Sequence, residues 1–307
     1  MKRVFLLFFV LFFLIFHAAC SNSKHVFQGE KIIVTTTIAQ IADIVKNVGG
    51  EHVVVESLMG PGIDPHLYKA SQGDIVKLEK ADVIFYNGLF LEGKMIETLE
   101  KINEKKPAYA VAEAVPKELL LTDEKDKNAV DPHIWFDPNL WKYAVETVRD
   151  ALIGIDKENE EHYLNNAHKY IELLDELDAY AKREIEKIPK ESRILITAHD
   201  AFGYFGRAYG FEVIGLQGLS TDSEYGLKDV QHLIDIIVER NIQAIFLETS
   251  IPDRSINAVI EGAKEKGHDV KIGGELYSDA MGEENTLEGT YKGMFKHNID
   301  TIVSSLK

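Results

Sequence analysis

The sequence predicts an α/β protein of two open parallel-sheet lobes joined by one long helix. Three observations carry that expectation. Short β-branched runs alternate with amphipathic segments, as in a parallel sheet covered by helices on both faces. The alternation stops once, for a periodic stretch from Lys157 to Ile188 that ends before Pro189. It then resumes and runs to the C-terminus.

The first lobe, residues 31–155, opens on the strand "KIIVTTT" (Lys31–Thr37), whose branched side chains suit an extended backbone. "IAQIADIVKNVGG" follows with helical spacing and a Gly-Gly stop. "HVVVESLM" is a second strand and leads into "GPGIDPH". "SQGDIVKLEKA" reads as a helix with Ser71 as its N-cap. A third strand "DVIFYNG", a helix "LEGKMIETLEKINEK" and a fourth strand "AYAVA" complete the sheet. The charged loop "KELLLTDEKDKNAV" ends at "VDPHIW", and "PNLWKYAVETVRDALIGI" is a helix. Within the linker, residues 156–189, Leu164, Ala167, Ile171, Leu174, Leu177, Ala181 and Ile185 recur every three or four positions. A helix from Lys157 to Ile188 would reach about 48 Å at 1.5 Å per residue. The second lobe, residues 190–307, places strands at "RILITA", "FEVIGLQ", "QAIFLET" and "HDVKIGG". Helices fall at "GLKDVQHLIDIIVERN", at "DRSINAVIEGAKEKG" and in the tail from Glu288.

The 307 residues carry a formal charge of −16, which excludes nucleic acid as a partner because its phosphates would repel the chain. Residues 1–19 read as a signal peptide rather than fold. Lys2 and Arg3 precede "VFLLFFVLFFLIF", an uncharged run shorter than the roughly 20 residues of a membrane-spanning helix. Ala18 and Ala19 then precede Cys20, the one cysteine, so neither an internal disulfide nor a thiolate metal site can form. "HAAC" resembles the lipobox of bacterial lipoproteins, although His17 replaces the usual leucine. That resemblance implies a lipid on Cys20, a tether over residues 20–30, and attachment to the extracellular face of the cell membrane. Removing Lys2 and Arg3 leaves a mature charge of −16 − 2 = −18.

In open parallel sheets, ligands bind beyond the carboxyl ends of the strands. Asp-Pro-His occurs twice, at residues 64–66 and 131–133. His66 follows the second strand, His133 precedes a helix, and His199 directly follows "RILITA". Asp279, in "GGELYSDAMG", follows the last strand. His162, His168, His232 and His297 sit among charges on helices and read as solvated. Two ligands from each lobe would close a metal site between them, and these nitrogen and oxygen donors suit zinc, manganese or iron. The spacing alone matches no short metal motif, so it leaves a catalytic base or ordinary loop histidines open.

Longer motifs narrow the choice. "MGPGIDPHLYKASQGD", "NGLFLEGKM", "VDPHIWFDPNLW", "TAHDAFGYFGRAYG", "GLQGLSTDSEYGLKD" and "GGELYSDAMGEENTLEGTYKGMFKHNI" resemble segments of a known family. It comprises the metal-binding lipoproteins that are the solute-binding components of bacterial ABC importers for manganese and zinc. The resemblance runs from about Lys31 to Lys307 and points in particular to the manganese-uptake lipoproteins of Gram-positive bacilli. It implies His66, His133, His199 and Asp279 as metal ligands, at the interface of two lobes on one long helix. It also implies a single divalent ion as cargo, and an ABC permease with its ATPase subunit as partner. Zinc-specific relatives often carry a histidine-rich acidic loop, and "KELLLTDEKDKNAV" has no histidine, which favours manganese. His199 pulls toward zinc, since several manganese relatives have glutamate there. Asp64 and Asp131 are expected either to accept imidazole N–H groups or to cap their loops. No enzymatic activity is expected. The rival reading is a metallohydrolase with Asp200 or Glu224 as base, but no HExxH-type pairing accompanies either.

Overall fold

The computed structural model describes residues 31–123 and 126–307; the expected signal peptide, Cys20 and the tether lie outside the described residues. Residues 31–307 form one compact unit. Before the long helix come β1 (Ile32–Thr36), α1 (Ala39–Gly49), β2 (Val53–Ser57), α2 (Gln72–Lys80), β3 (Val83–Tyr86), α3 (Ile96–Asn103) and β4 (Ala108–Ala110). The four strands are parallel, in the order β2-β1-β3-β4. The order reverses between β1 and β3, so a crevice opens between the loops that follow them. α4 (Pro138–Ile155) then leads to α5 (Glu160–Ile185).

After α5 come β5 (Ile194–His199), α6 (Gly203–Tyr209), β6 (Glu212–Gln217), α7 (Leu227–Glu239), β7 (Ala244–Glu248), α8 (Arg254–Glu265), β8 (Lys271–Leu276) and α9 (Tyr291–Leu306). β5 pairs with β6 and β7 with β8, both in parallel, and β5 lies beside β7. This half repeats the arrangement of the first, with its crevice beyond the ends of β5 and β7.

Local chemistry explains several element ends. Ser71 caps α2 in a reciprocal box with Asp74. Asp137 accepts from Asn139 N–H at the start of α4, with Pro138 at the first helical position. α5 is shorter than its periodicity suggests: Lys157–Asn159 form a separate 3₁₀ turn, and the helix stops at Ile185. The tail helix starts at Tyr291 rather than Glu288, because the Thr290 hydroxyl accepts from Gly293 N–H as its cap. α3 likewise begins late, after a 3₁₀ turn over Gly93–Met95. β8 begins at Lys271 and runs past Gly274, later than "HDVKIGG" suggests.

One hydrophobic cluster runs from Ile32 through Tyr163, Leu174 and Ile185 of α5 to Val303 in α9. A smaller cluster fills the space between β5–β8, α7 and α8. α5 packs on α1 and α4 of the first half and on α9 of the second.

Candidate metal centre

Four side chains converge where the two crevices meet. His66, His133, His199 and Asp279 are all buried, and each offers a ligand atom within 4.8 Å of the other three. His66 Nε2 is 3.3 Å from His133 Nε2 and 3.7 Å from Asp279 Oδ2. Asp279 Oδ1 lies 3.4 Å from His133 Nε2, and its Oδ2 lies 3.3 Å from His199 Nε2. A tetrahedron with bonds of about 2.1 Å has edges of about 3.4 Å. The spacing therefore fits one small cation at the centre. His199 Nε2 and both Asp279 carboxylate oxygens are buried without a hydrogen-bond partner. Buried donors and acceptors are rarely left so, and a bound ion would satisfy all three.

Each side chain reaches the site by a different local device. His199 is the last residue of β5. Its N–H donates to Glu248 Oε1 (2.9 Å) and its Nδ1 lies 2.6 Å from Glu248 Oε2, at the end of the neighbouring β7. One buried carboxylate thus fixes both backbone and ring, and leaves Nε2 facing the centre. His133 is held in the same way by Asp131 Oδ1, 2.9 Å from its backbone N and 2.8 Å from its Nδ1. Its loop is tied to the first sheet by Asn87, whose amide donates to Pro132 O (3.0 Å). A Cβ on Gly203 would lie 2.7 Å from Asp131 Oδ2, so only glycine there leaves Asp131 its space. Asp279 follows β8, and Gln40 of α1 donates to its carbonyl (3.1 Å). Trp135 donates from its indole N–H to Ser278 O (3.1 Å), beside the site.

His66 is different. Asp64 Oδ1 accepts its backbone N–H (2.9 Å), but the His66 Nδ1 has no partner. The other Asp64 oxygen accepts from the Thr221 hydroxyl (2.6 Å). So Asp131 is both loop cap and imidazole acceptor, whereas Asp64 caps the loop only.

Above the site, Gly88, Leu89 and Phe90 have φ of 82°, 52° and 67°. This left-handed run is anchored by buried Glu92. Its Oε1 accepts from Thr37 O–H (2.6 Å) and Asn87 N–H (2.7 Å), and its Oε2 from Gly88 N–H (3.1 Å).

The electrostatics suit a cation. Burial alone would raise the Asp279 carboxyl, but the three histidines hold it well below the usual carboxylate range. Burial opposes charge on His199, yet Glu248 and Asp279 overcome it and hold its pKa well above 6.5. Burial wins at His66 and lowers its pKa to about 3. Of the two bases available to a hydrolase, Glu224 is exposed. Asp200 is raised to about 6 by burial and by Asp131.

Residues 34–305 match the family model described as zinc-uptake complex component A, periplasmic. The manganese-binding lipoprotein MntA of Bacillus subtilis is 56% identical over 278 residues, covering 91% of this chain and 90% of that protein. The manganese ABC transporter substrate-binding lipoprotein PsaA of Streptococcus anginosus is 31% identical, with 94% of each chain covered. The solved structure of the periplasmic zinc-binding protein TroA of Treponema pallidum superposes with a TM-score of 0.87 at 48% identity, covering 90% of this chain and 99% of that one.

Proposed function

Because the chain belongs to the zinc-uptake complex component A family of metal-binding ABC importer components, we propose that it captures manganese outside the cytoplasm and delivers it to an ABC permease with its ATPase. The observation that carries this reading is the buried set His66, His133, His199 and Asp279, whose spacing fits one ion. We assign these four as ligands. Residues 31–155 contribute His66 and His133, residues 190–307 contribute His199 and Asp279, and the helix within 156–189 joins the two parts. Residues 1–19 act as the signal peptide, and a lipid on Cys20, with the tether over 20–30, holds the protein at the membrane. A second reading, zinc, has specific support: three nitrogen donors and one carboxylate suit it, with His66 Nε2 3.3 Å from His133 Nε2 and Asp279 oxygens 3.3 Å from His199 Nε2 and 3.4 Å from His133 Nε2. Manganese prefers higher coordination, which Asp279 can raise by offering both oxygens, each facing a histidine nitrogen.

Binding without turnover fits this site. Catalytic zinc centres usually keep three protein ligands and a position for water, and here four protein donors close on one point. Turnover by metal-loaded protein on esters or peptides, abolished by His133→Ala, would reinstate the hydrolase.

Gene deletion tests the cargo. Cellular manganese should fall, and added manganese should rescue growth; rescue by zinc alone overturns the manganese assignment. Zinc content of purified protein does not decide it, since zinc outranks manganese at most such sites. Cys20→Ala should release the protein from the membrane fraction. Retention after high-salt washing would point to another anchor.

A further inference from the structure

The proposed ligands differ in what holds their donor atoms. Asp131 and Glu248 hold the rings of His133 and His199. The Asp279 carboxylate has no such support, since neither of its oxygens has a hydrogen-bond partner. Its place is therefore set by the backbone that carries it.

That backbone is gripped residue by residue. The Tyr277 carbonyl accepts from Asn298 Nδ2 (2.7 Å), the Ser278 carbonyl from the Trp135 indole N–H (3.1 Å), and the Asp279 carbonyl from Gln40 Nε2 (3.1 Å). Asn298 Oδ1 also accepts the Tyr277 N–H (2.9 Å). All three donor side chains are buried. Asn298, in α9, belongs to the same half as Asp279. Gln40 lies in α1, and Trp135 lies in the turn directly after His133, so two of the three grips come from the other half. Tyr291 of α9 returns the contact by donating its hydroxyl to Trp135 O (2.7 Å).

Gln40 is the most telling of the three. It shares the buried face of α1 with Ile41, Ile44 and Val45, where an apolar side chain would cost less to bury. Its Oε1 is buried without a partner. The hydrogen bond to Asp279 O is what the amide supplies there and an apolar residue cannot.

We infer that Gln40, Trp135 and Asn298 are positioning residues that clamp the 277–279 backbone, and that through it they hold both Asp279 oxygens toward the ion and set the preference between manganese and zinc. The inference rests on the metal-binding reading of the site. With the clamp intact, Asp279 Oδ1 faces His133 Nε2 and Oδ2 faces His199 Nε2. With one grip lost, the segment relaxes and the carboxylate turns to offer a single oxygen. Zinc tolerates this, because four donors complete its usual tetrahedron. Manganese, which favours more oxygen donors, loses more.

Equilibrium titration of the full chain with manganese alone and with zinc alone tests this. Gln40→Met keeps the length of the side chain but has no N–H to donate. It should weaken manganese binding about tenfold, the worth of one buried hydrogen bond, and zinc binding less than about threefold. Trp135→Phe should move the ratio of affinities in the same direction and decides the matter if Gln40→Met does not fold. Val45→Ala, buried on the same helix but outside the clamp, should lower the melting temperature and leave the ratio unchanged. Equal losses for the two ions, or no loss for either, overturn the inference. So does a ratio shifted as far by Val45→Ala, because general loosening of α1 would then explain it. A wild-type chain that binds neither ion overturns the metal-binding reading itself.

Discussion

At the scale of single residues, the site depends on carboxylates that never touch the ion. Glu248 and Asp131 each grip one histidine at both backbone and ring. Exchanging any of His66, His133, His199 or Asp279 for alanine should weaken metal binding. Wild type should gain about 2.7 kcal/mol of stability at metal a hundredfold above its dissociation constant. Thermal shifts with and without metal measure this. His232→Ala, on the exposed face of α7, should keep the full gain, and a site variant that also keeps it is no ligand. The pH response follows from the same groups. As pH falls toward 6.5, folded His199 holds a proton that the unfolded chain does not, so metal-free stability rises. Below 6.5 the unfolded chain protonates at His66 while the fold keeps it neutral down to about pH 3, so stability falls. Asp279, held low in the fold, adds to that fall below pH 3.8. The site's contribution to the metal-free melting temperature should therefore peak near pH 6.5. Metal affinity should climb with pH through neutrality, because the ion displaces the His199 proton. Proton release measured by calorimetry in buffers of different ionisation enthalpy checks this; no release counts against a protonated His199. The sequence made the four converging residues legible because strand ends and doubled Asp-Pro-His mark loops. It hid Glu248, although Glu248 ends the strand "QAIFLET", because nothing in that stretch marks a histidine as its partner. The hydrogen bond from Thr221 to Asp64 carried no pattern at all, since it joins residues 157 positions apart in the chain.

At the scale of elements, β-branched runs located every strand that builds the crevice, and three-four periodicity located most of the helices. Their ends were less legible, because caps and 3₁₀ turns set them. Periodicity continued through Lys157–Asn159 although the helix begins only at Glu160. The turn after β3 was invisible, since nothing in "NGLFLEGK" announces left-handed Leu89 and Phe90. Bulky residues in that conformation cost about 1–2 kcal/mol each. Phe90 is 79% exposed and recovers little by burial. Phe90→Asn should therefore stabilise the fold by about 1 kcal/mol, since asparagine tolerates this backbone. Urea unfolding measures it; a loss of stability would show that the Phe90 ring contributes more than its exposure suggests.

At the scale of the whole molecule, α5 is packed along its length rather than free between two bodies. Metal-free and metal-loaded protein should therefore give nearly the same small-angle scattering profile. A marked fall in radius of gyration on loading would mean that the halves swing together despite their shared core. The buried indole beside the centre has a further consequence. The chain has two tryptophans, Trp135 and Trp141, and the Trp135 ring centroid is 5.3 Å from that of His133. An ion bound by His133 is one imidazole ring away from a chromophore shielded from water. The protein is thus its own optical indicator: a paramagnetic ion such as manganese should dim its ultraviolet emission, whereas closed-shell zinc should leave it bright, so the colour-blind question of occupancy and the question of which element is bound can be answered from the same cuvette.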